Sequence, residues 1–204
     1  MENFLPVLLG GSWATGVNMY LTAVGLGLAN RLGWVHLPGD LTVLSHPLVM
    51  LLAGVLFGVN FFSDKIPFID HISDMVHTFI RPTAGAAMGY LATAHTDPVI
   101  QTGAALLTGS IALGSHLTKS STRAAVNSST AGIGGPAASV AEDAGVFGML
   151  YLIIKHPIIA SIVAILLIAI SIWLLRKFFR FVKRLFSPLK KEEVAAEKKV
   201  PAVS

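Results

Sequence analysis

The sequence predicts an all-α, polytopic membrane protein with about six transmembrane or half-spanning helices, and three observations carry that prediction. Apolar runs separated by turn signals recur along the 204 residues. Hydrophobic residues make up 53% of the chain and charged residues 13%, well below the roughly 25% charge of soluble domains. The mean hydropathy is +0.70. A crossing takes about 20 apolar residues, so the length accommodates about six of them. Cysteine is absent, which removes disulfides and thiolate metal sites.

Residues 4–32 form the first run, interrupted by Gly16, Asn18, Gly25 and Gly27, so one face is expected against protein rather than lipid. Asn18 and Tyr20 are expected to bond across helices. Met1-Glu2-Asn3 has no positive leader, so this run reads as a retained span. Residues 31–45, with Gly33, Pro38, Gly39 and Asp40, read as a loop. His46-Pro47 opens the second span, with proline where a missing N–H costs least, and the run ends at Phe62.

Residues 63–82 read as a polar connector, Pro82 to Ala94 as the third span and 95–98 as a turn. The fourth span covers 99–114. Residues 115–138 form a second polar connector, closing in the helix breaker Gly132-Ile133-Gly134-Gly135-Pro136. The fifth segment, 139–154, is short enough to be re-entrant or a half-helix. Lys155-His156-Pro157 turns into 158–175, the cleanest apolar run. One membrane domain over 1–186 and a disordered, mixed-charge tail over 187–204 are therefore expected.

Thr22-Ala23-Val24-Gly25, Thr83-Ala84-Gly85 and Thr130-Ala131-Gly132 echo one another, each followed by an x-Pro turn. Three hairpins, two opposed three-span halves, and chance recurrence of small residues all fit the echo. Orientation follows from the basic residues. Lys65, Arg81, Lys119, Arg123 and the tail share one side, against Arg31 and Lys155 on the other, which predicts both termini in the cytoplasm.

The chemistry gathers in the two connectors. On a helix, Asp70, Asp74, His77 and Arg81 fall within roughly 60° of one face, following Asp64 and Lys65. His116, Lys119, Arg123 and Asn127 fall within roughly 80° of one another. The simplest expectation pairs Asp70 and Asp74 with Lys119 and Arg123. A second is a ligand site, in which Arg81 and Arg123 grip a phosphate or carboxylate through two donors each, helped by Lys65 and Lys119. A third leaves Asp64, Asp70, Asp74 and His77 to a divalent cation, though no spacing specifies a coordination geometry. Glu142 and Asp143 either carry protons or neutralise a bound cation, or serve as an acidic helix start.

Enzyme signatures are missing: there is no His-Glu-x-x-His, no Gly-x-Ser-x-Gly and no phosphate-cradling loop ending in Gly-Lys-Ser/Thr. No cofactor is expected. The excess positive charge belongs to the stretch from Arg176, where Phe178, Phe179, Phe181 and Phe186 interleave with basic residues. That pattern predicts contact with anionic lipid headgroups rather than nucleic acid. Self-association through the glycine-rich faces is a further alternative.

Asp64-Lys65-Ile66-Pro67-x-x-Asp70, His77-Thr78-Phe79-Ile80-Arg81-Pro82-x-Ala84-Gly85, Lys119-x-x-x-Arg123-Ala124-x-Val126-Asn127 and Glu142-Asp143 resemble the hallmarks of a family of small, mainly bacterial integral membrane proteins, catalogued as domain of unknown function 4126. The resemblance runs from about Gly11 to Trp173. It implies a membrane location and no particular activity. The expected function is that of a transporter or channel-like protein of the inner membrane, for a small ion or a phosphate-bearing anion. An enzyme acting on a lipid headgroup and a non-catalytic assembly or scaffold protein are the alternatives.

Overall fold

The computed structural model describes the backbone of residues 3–130 and 133–197, with the side chains of 67–72, 182 and 184–197 outside the description. A π-helical turn, Pro6–Gly11, leads into α1 (Ser12–Arg31). A 3₁₀ segment, Gly39–Ser45, precedes α2 (Pro47–Ser63), and α3 (Pro67–Ala92), α4 (Pro98–Ser129), α5 (Gly135–Lys155) and α6 (Pro157–Glu197) follow. The described residues contain no strand.

Proline marks these starts because its missing N–H falls among the unpaired donors of the first turn. The residue before it adds a cap. His46 Nδ1 accepts from the Leu48 amide at 3.3 Å, and Asp97 Oδ1 from the Val99 amide at 2.8 Å.

Both expected connectors are instead parts of long helices. Residues 67–82 belong to α3, which passes through Pro82 without ending, and residues 115–129 belong to α4. The first separating loop shrinks to 64–66, and α5 begins at Gly135. The physical reason is that His77, Arg81, His116, Lys119 and Arg123 are all buried against neighbouring helices, so their polarity gives the chain no cause to leave the helix. The fifth segment is also longer than expected, 21 residues. Residues 31–45 are not an open loop. Val35, Leu37 and Leu41 are buried, and Asn30 fastens the segment by accepting from the Leu37 amide at 3.0 Å and donating to Ser45 Oγ at 2.8 Å.

Among the described residues, Gly135–Lys155 and Pro157–Phe181 are long and apolar enough to cross a membrane. The bent pair Gly39–Ser45 and Pro47–Ser63, at 68°, is a third if it acts as one span. α1, α3 and α4 turn small and polar residues toward one another. A Cβ on Gly89 would meet the Ala104 carbonyl oxygen at 2.5 Å, so glycine sets how closely α3 approaches α4. The distribution of polarity is inverted relative to a soluble protein. Leu48, Leu51, Leu52, Val55 and Phe62 of α2 and Ile158, Ile162, Ile165 and Leu166 of α6 face outward. Asp64, Arg81, Lys119, Arg123 and Asp143 face inward. A hydrocarbon solvent favours that arrangement.

Candidate functional site

The site begins with a break in α1. Asn18 has φ −150° and ψ 96°, far from helical values. The Leu21 amide therefore donates to Asn18 Oδ1 at 3.1 Å and leaves the Val17 carbonyl without its helical donor. Lys119 Nζ takes that carbonyl at 3.3 Å, and Arg81 Nη1 takes the Gly16 carbonyl at 3.0 Å. Ser115 Oγ donates to the Trp13 carbonyl at 2.9 Å. The negative end of one half-helix thus points at two buried cations, as the helix dipole favours. Asn18 Nδ2 meanwhile donates to Asp143 Oδ1 on α5 at 2.8 Å, while Asp143 Oδ2 has no hydrogen-bond partner among the described residues.

Next to the break lies a four-residue ionic cluster. Lys119 Nζ is 3.3 Å from both Asp64 Oδ2 and Glu142 Oε2. Arg123 holds Glu142 through Nε at 3.2 Å and Nη2 at 2.9 Å, and Nη2 also reaches Asp64 Oδ2 at 3.4 Å. Asn60 Nδ2 adds a donor to Asp64 Oδ2 at 3.2 Å. Among the described residues two cations meet two carboxylates here, with three side chains 2% exposed and Glu142 17%.

Arg81 is 1% exposed, and among the described residues no carboxylate forms a salt bridge with it. Its Nη1 also reaches His116 Nδ1 at 3.1 Å. A guanidinium only donates, so Nδ1 accepts and the ring proton lies on Nε2, 3.0 Å from Thr78 Oγ1. Thr78 Oγ1 passes the chain on to the Asp74 carbonyl at 2.8 Å.

These positions correct the expected pairing. Asp64 and Glu142, not Asp74, neutralise Lys119 and Arg123; Asp74 Oδ2 accepts from Ser120 Oγ at 3.1 Å instead. The reason is geometric. Asp64 caps the end of α2 and turns inward beside α4, while Asp74 lies on α3 opposite Ser120. The Asp70 side chain lies outside the described residues. His77 bonds Ser73 Oγ at 3.0 Å and meets the Tyr20 ring edge-on at 5.8 Å between centroids. Lys65 leaves the cluster, donating to the Phe61 carbonyl at 2.9 Å and lying over the Phe61 ring. Asn127 is half-buried and its Oδ1 has no partner. Among the described residues, no three of His, Asp and Glu converge in the manner of a metal site.

A cavity of about 330 Å³ opens beside the cluster, between α1, α4, α5 and α6. Lys119 and Glu142 form its charged end, and Trp13, Val17, Leu167 and Ile170 form apolar walls. Ser120, Thr78 and the Gly16 and Val17 carbonyls had no sequence signal, because each acts through a partner on another helix. Asn18 was legible as a cross-helix bond, though not as the break. Asn18→Ala is expected to cost about 1–3 kcal/mol for each buried group left unsatisfied, read as a lower Tm in detergent. An unchanged Tm would mean that Asn18 does not hold the break.

A family model described as a domain of unknown function (DUF4126) matches residues 5–177. No curated protein and no solved structure matches the chain.

Proposed function

We propose, from the premise that the chain belongs to the DUF4126 family, that it is a carrier of the inner membrane for a phosphate-bearing anion. In this reading six helices cross the bilayer and both termini are cytoplasmic. The observation that supports it is the cavity ending on Lys119 and Glu142. Glu142 is the most exposed member of the described cluster, so an incoming anion can displace its carboxylate from Lys119 and Arg123. Arg123 already presents two donors to one carboxylate, the geometry that also suits a phosphate, and Lys119 adds a point charge. The broken α1 supports the same reading, since discontinuous helices with unwound carbonyls recur at transport sites.

The lipid-headgroup enzyme gains no support from the cavity, which neither His77 nor Asp74 lines. The mutual neutralisation of the cluster favours the assembly protein as the second reading.

The test is flux. Proteoliposomes of the full chain are expected to take up inorganic phosphate or a small phosphate ester above the rate of empty vesicles. Lys119→Met should lower that rate about ten-fold or more, as expected for loss of one buried charge contact. No flux above empty vesicles for phosphate, phosphate esters and small inorganic ions would overturn the carrier and leave the assembly reading.

A further inference from the structure

A second cavity, of about 430 Å³, lies between α4 and α6. Its two walls differ in chemistry. α4 contributes the hydroxyls of Ser121, Thr122 and Ser129, while α6 contributes Leu174, Phe178 and Lys177. It adjoins the 330 Å³ cavity, because Thr118 and Thr122 line both. Little separates the two. Thr118 Oγ1 donates to the Gly114 carbonyl of its own helix at 2.8 Å and reaches the Ser171 carbonyl of α6 at 3.5 Å, the limit of a hydrogen bond. A rotating hydroxyl is a weak barrier compared with interlocked apolar side chains.

The joined space therefore has Lys177 at its outer rim, with Nζ 5.2 Å from the centroid of the Trp173 ring, and is charged at its inner end, at Lys119 and Glu142. Between those ends the walls are largely apolar. Phe178 and Leu174 give way to Leu167, Ile170 and Trp13. A free inorganic anion gains nothing from such walls, whereas an attached alkyl chain gains about 0.8 kcal/mol per buried CH₂. Pockets that combine an apolar lining with a few convergent charges select amphiphiles in the same way. The opening also lies along α6, whose segment Pro157–Phe181 is apolar enough to cross a membrane, so it faces the phase in which amphiphiles dissolve.

We infer that the two cavities form one lateral site for an anionic amphiphile, with a phosphate head that passes from Lys177 to Lys119 and a chain held along the α4–α6 groove. The inference rests on the carrier reading for the inner cavity and adds the class of substrate to it. The shared chemistry is a phosphate on an apolar body, whether that body is a membrane lipid or a soluble phosphoester.

The chain has no cysteine, so Thr122→Cys would introduce a sole thiol at the junction of the two cavities. The variant, as the full chain in nanodiscs of zwitterionic lipid, is labelled with a maleimide alone, with dodecyl phosphate, with dodecyltrimethylammonium and with inorganic phosphate. Dodecyl phosphate is expected to slow labelling about ten-fold, while the other two leave the rate within about two-fold. Lys177→Gln in the same background should abolish the protection. Val55→Cys, on the outward face of α2, should show none. If Thr122→Cys does not fold, Ala125→Cys reads the outer cavity in its place. Equal protection by both alkyl compounds would mean lipid packing without recognition of the head, and protection by inorganic phosphate would mean that the chain is irrelevant; either overturns the inference, as does no protection at all. Phosphate flux without protection by dodecyl phosphate overturns the amphiphile and keeps the carrier. Protection without flux overturns the carrier and keeps the binding site.

Discussion

Arg123→Met is expected to destabilise the folded chain by about 3–5 kcal/mol, the usual cost of removing one partner from a buried ion pair. The methionine fills much of the volume, so the loss is chiefly electrostatic. Arg123 bridges Glu142 and Asp64, and without it two buried carboxylates share Lys119. For a chain of this size the cost corresponds to a fall in Tm of roughly 6–20 °C, read from tryptophan fluorescence in detergent. Arg123→Lys should recover little, because an ammonium cannot reproduce the Nε and Nη2 contacts with Glu142. The double variant Arg123→Met, Glu142→Met should be more stable than Arg123→Met alone, since it removes the orphaned carboxylate. A single variant within about 1 kcal/mol of the parent would show that the cluster is solvated rather than buried.

Gly16→Ala should be costly at a site that carries no charge. A Cβ at Gly16 would overlap Ser115 Oγ and the Ala112 carbonyl oxygen. Ser115 can rotate, but the Ala112 carbonyl moves only if α4 moves. Such a shift pulls Lys119 from the Val17 carbonyl and His116 from Arg81, so one methyl group disturbs both cations. Overpacking of this kind costs about 1–3 kcal/mol before the polar losses are counted. Gly54→Ala is the matched control. Nothing lies within 4 Å of the Cβ it would add, and it should be neutral or stabilise α2 by up to about 1 kcal/mol. Equal effects at the two glycines would mean that the contact between α1 and α4 is not close.

The helices were largely legible because apolar length and x-Pro starts are local properties. His46-Pro47, Asp97-Pro98 and His156-Pro157 all mark real helix starts. That His116, Lys119 and Arg123 share one face was legible from spacing along a single helix; that this face is buried was not. Their partners were not. Periodicity shows that Asp74 and Lys119 lie on faces of their own helices, but it says nothing about which neighbour each face meets. Asp64 reaches Lys119 and Arg123 across 55 and 59 residues, a relation with no signature in either local sequence. The polar stretches misled for a related reason. Read alone, 115–129 resembles a solvated connector; buried against α1 and α5, the same residues extend α4 by several turns. The break at Asn18 needed knowledge of the cations that donate to the Gly16 and Val17 carbonyls.

The separation within the ionic cluster has a consequence for how the protein is made. Asp64 leaves the ribosome with its helix, but Lys119 follows 55 residues later and Arg123 59 residues later. Glu142 comes 19 residues after Arg123. At about 5–20 residues per second, Asp64 waits roughly 3–12 seconds for its cations. Through that interval α2 has an apolar surface ready for lipid and a carboxylate at its end that still needs water or a chaperone. A nascent chain stopped before Lys119 holds Asp64 without either of these cations; one stopped after Arg123 but before Glu142 lacks the carboxylate that Arg123 grips through two donors. The described cluster is complete only with α5, which makes it a checkpoint on the order of synthesis.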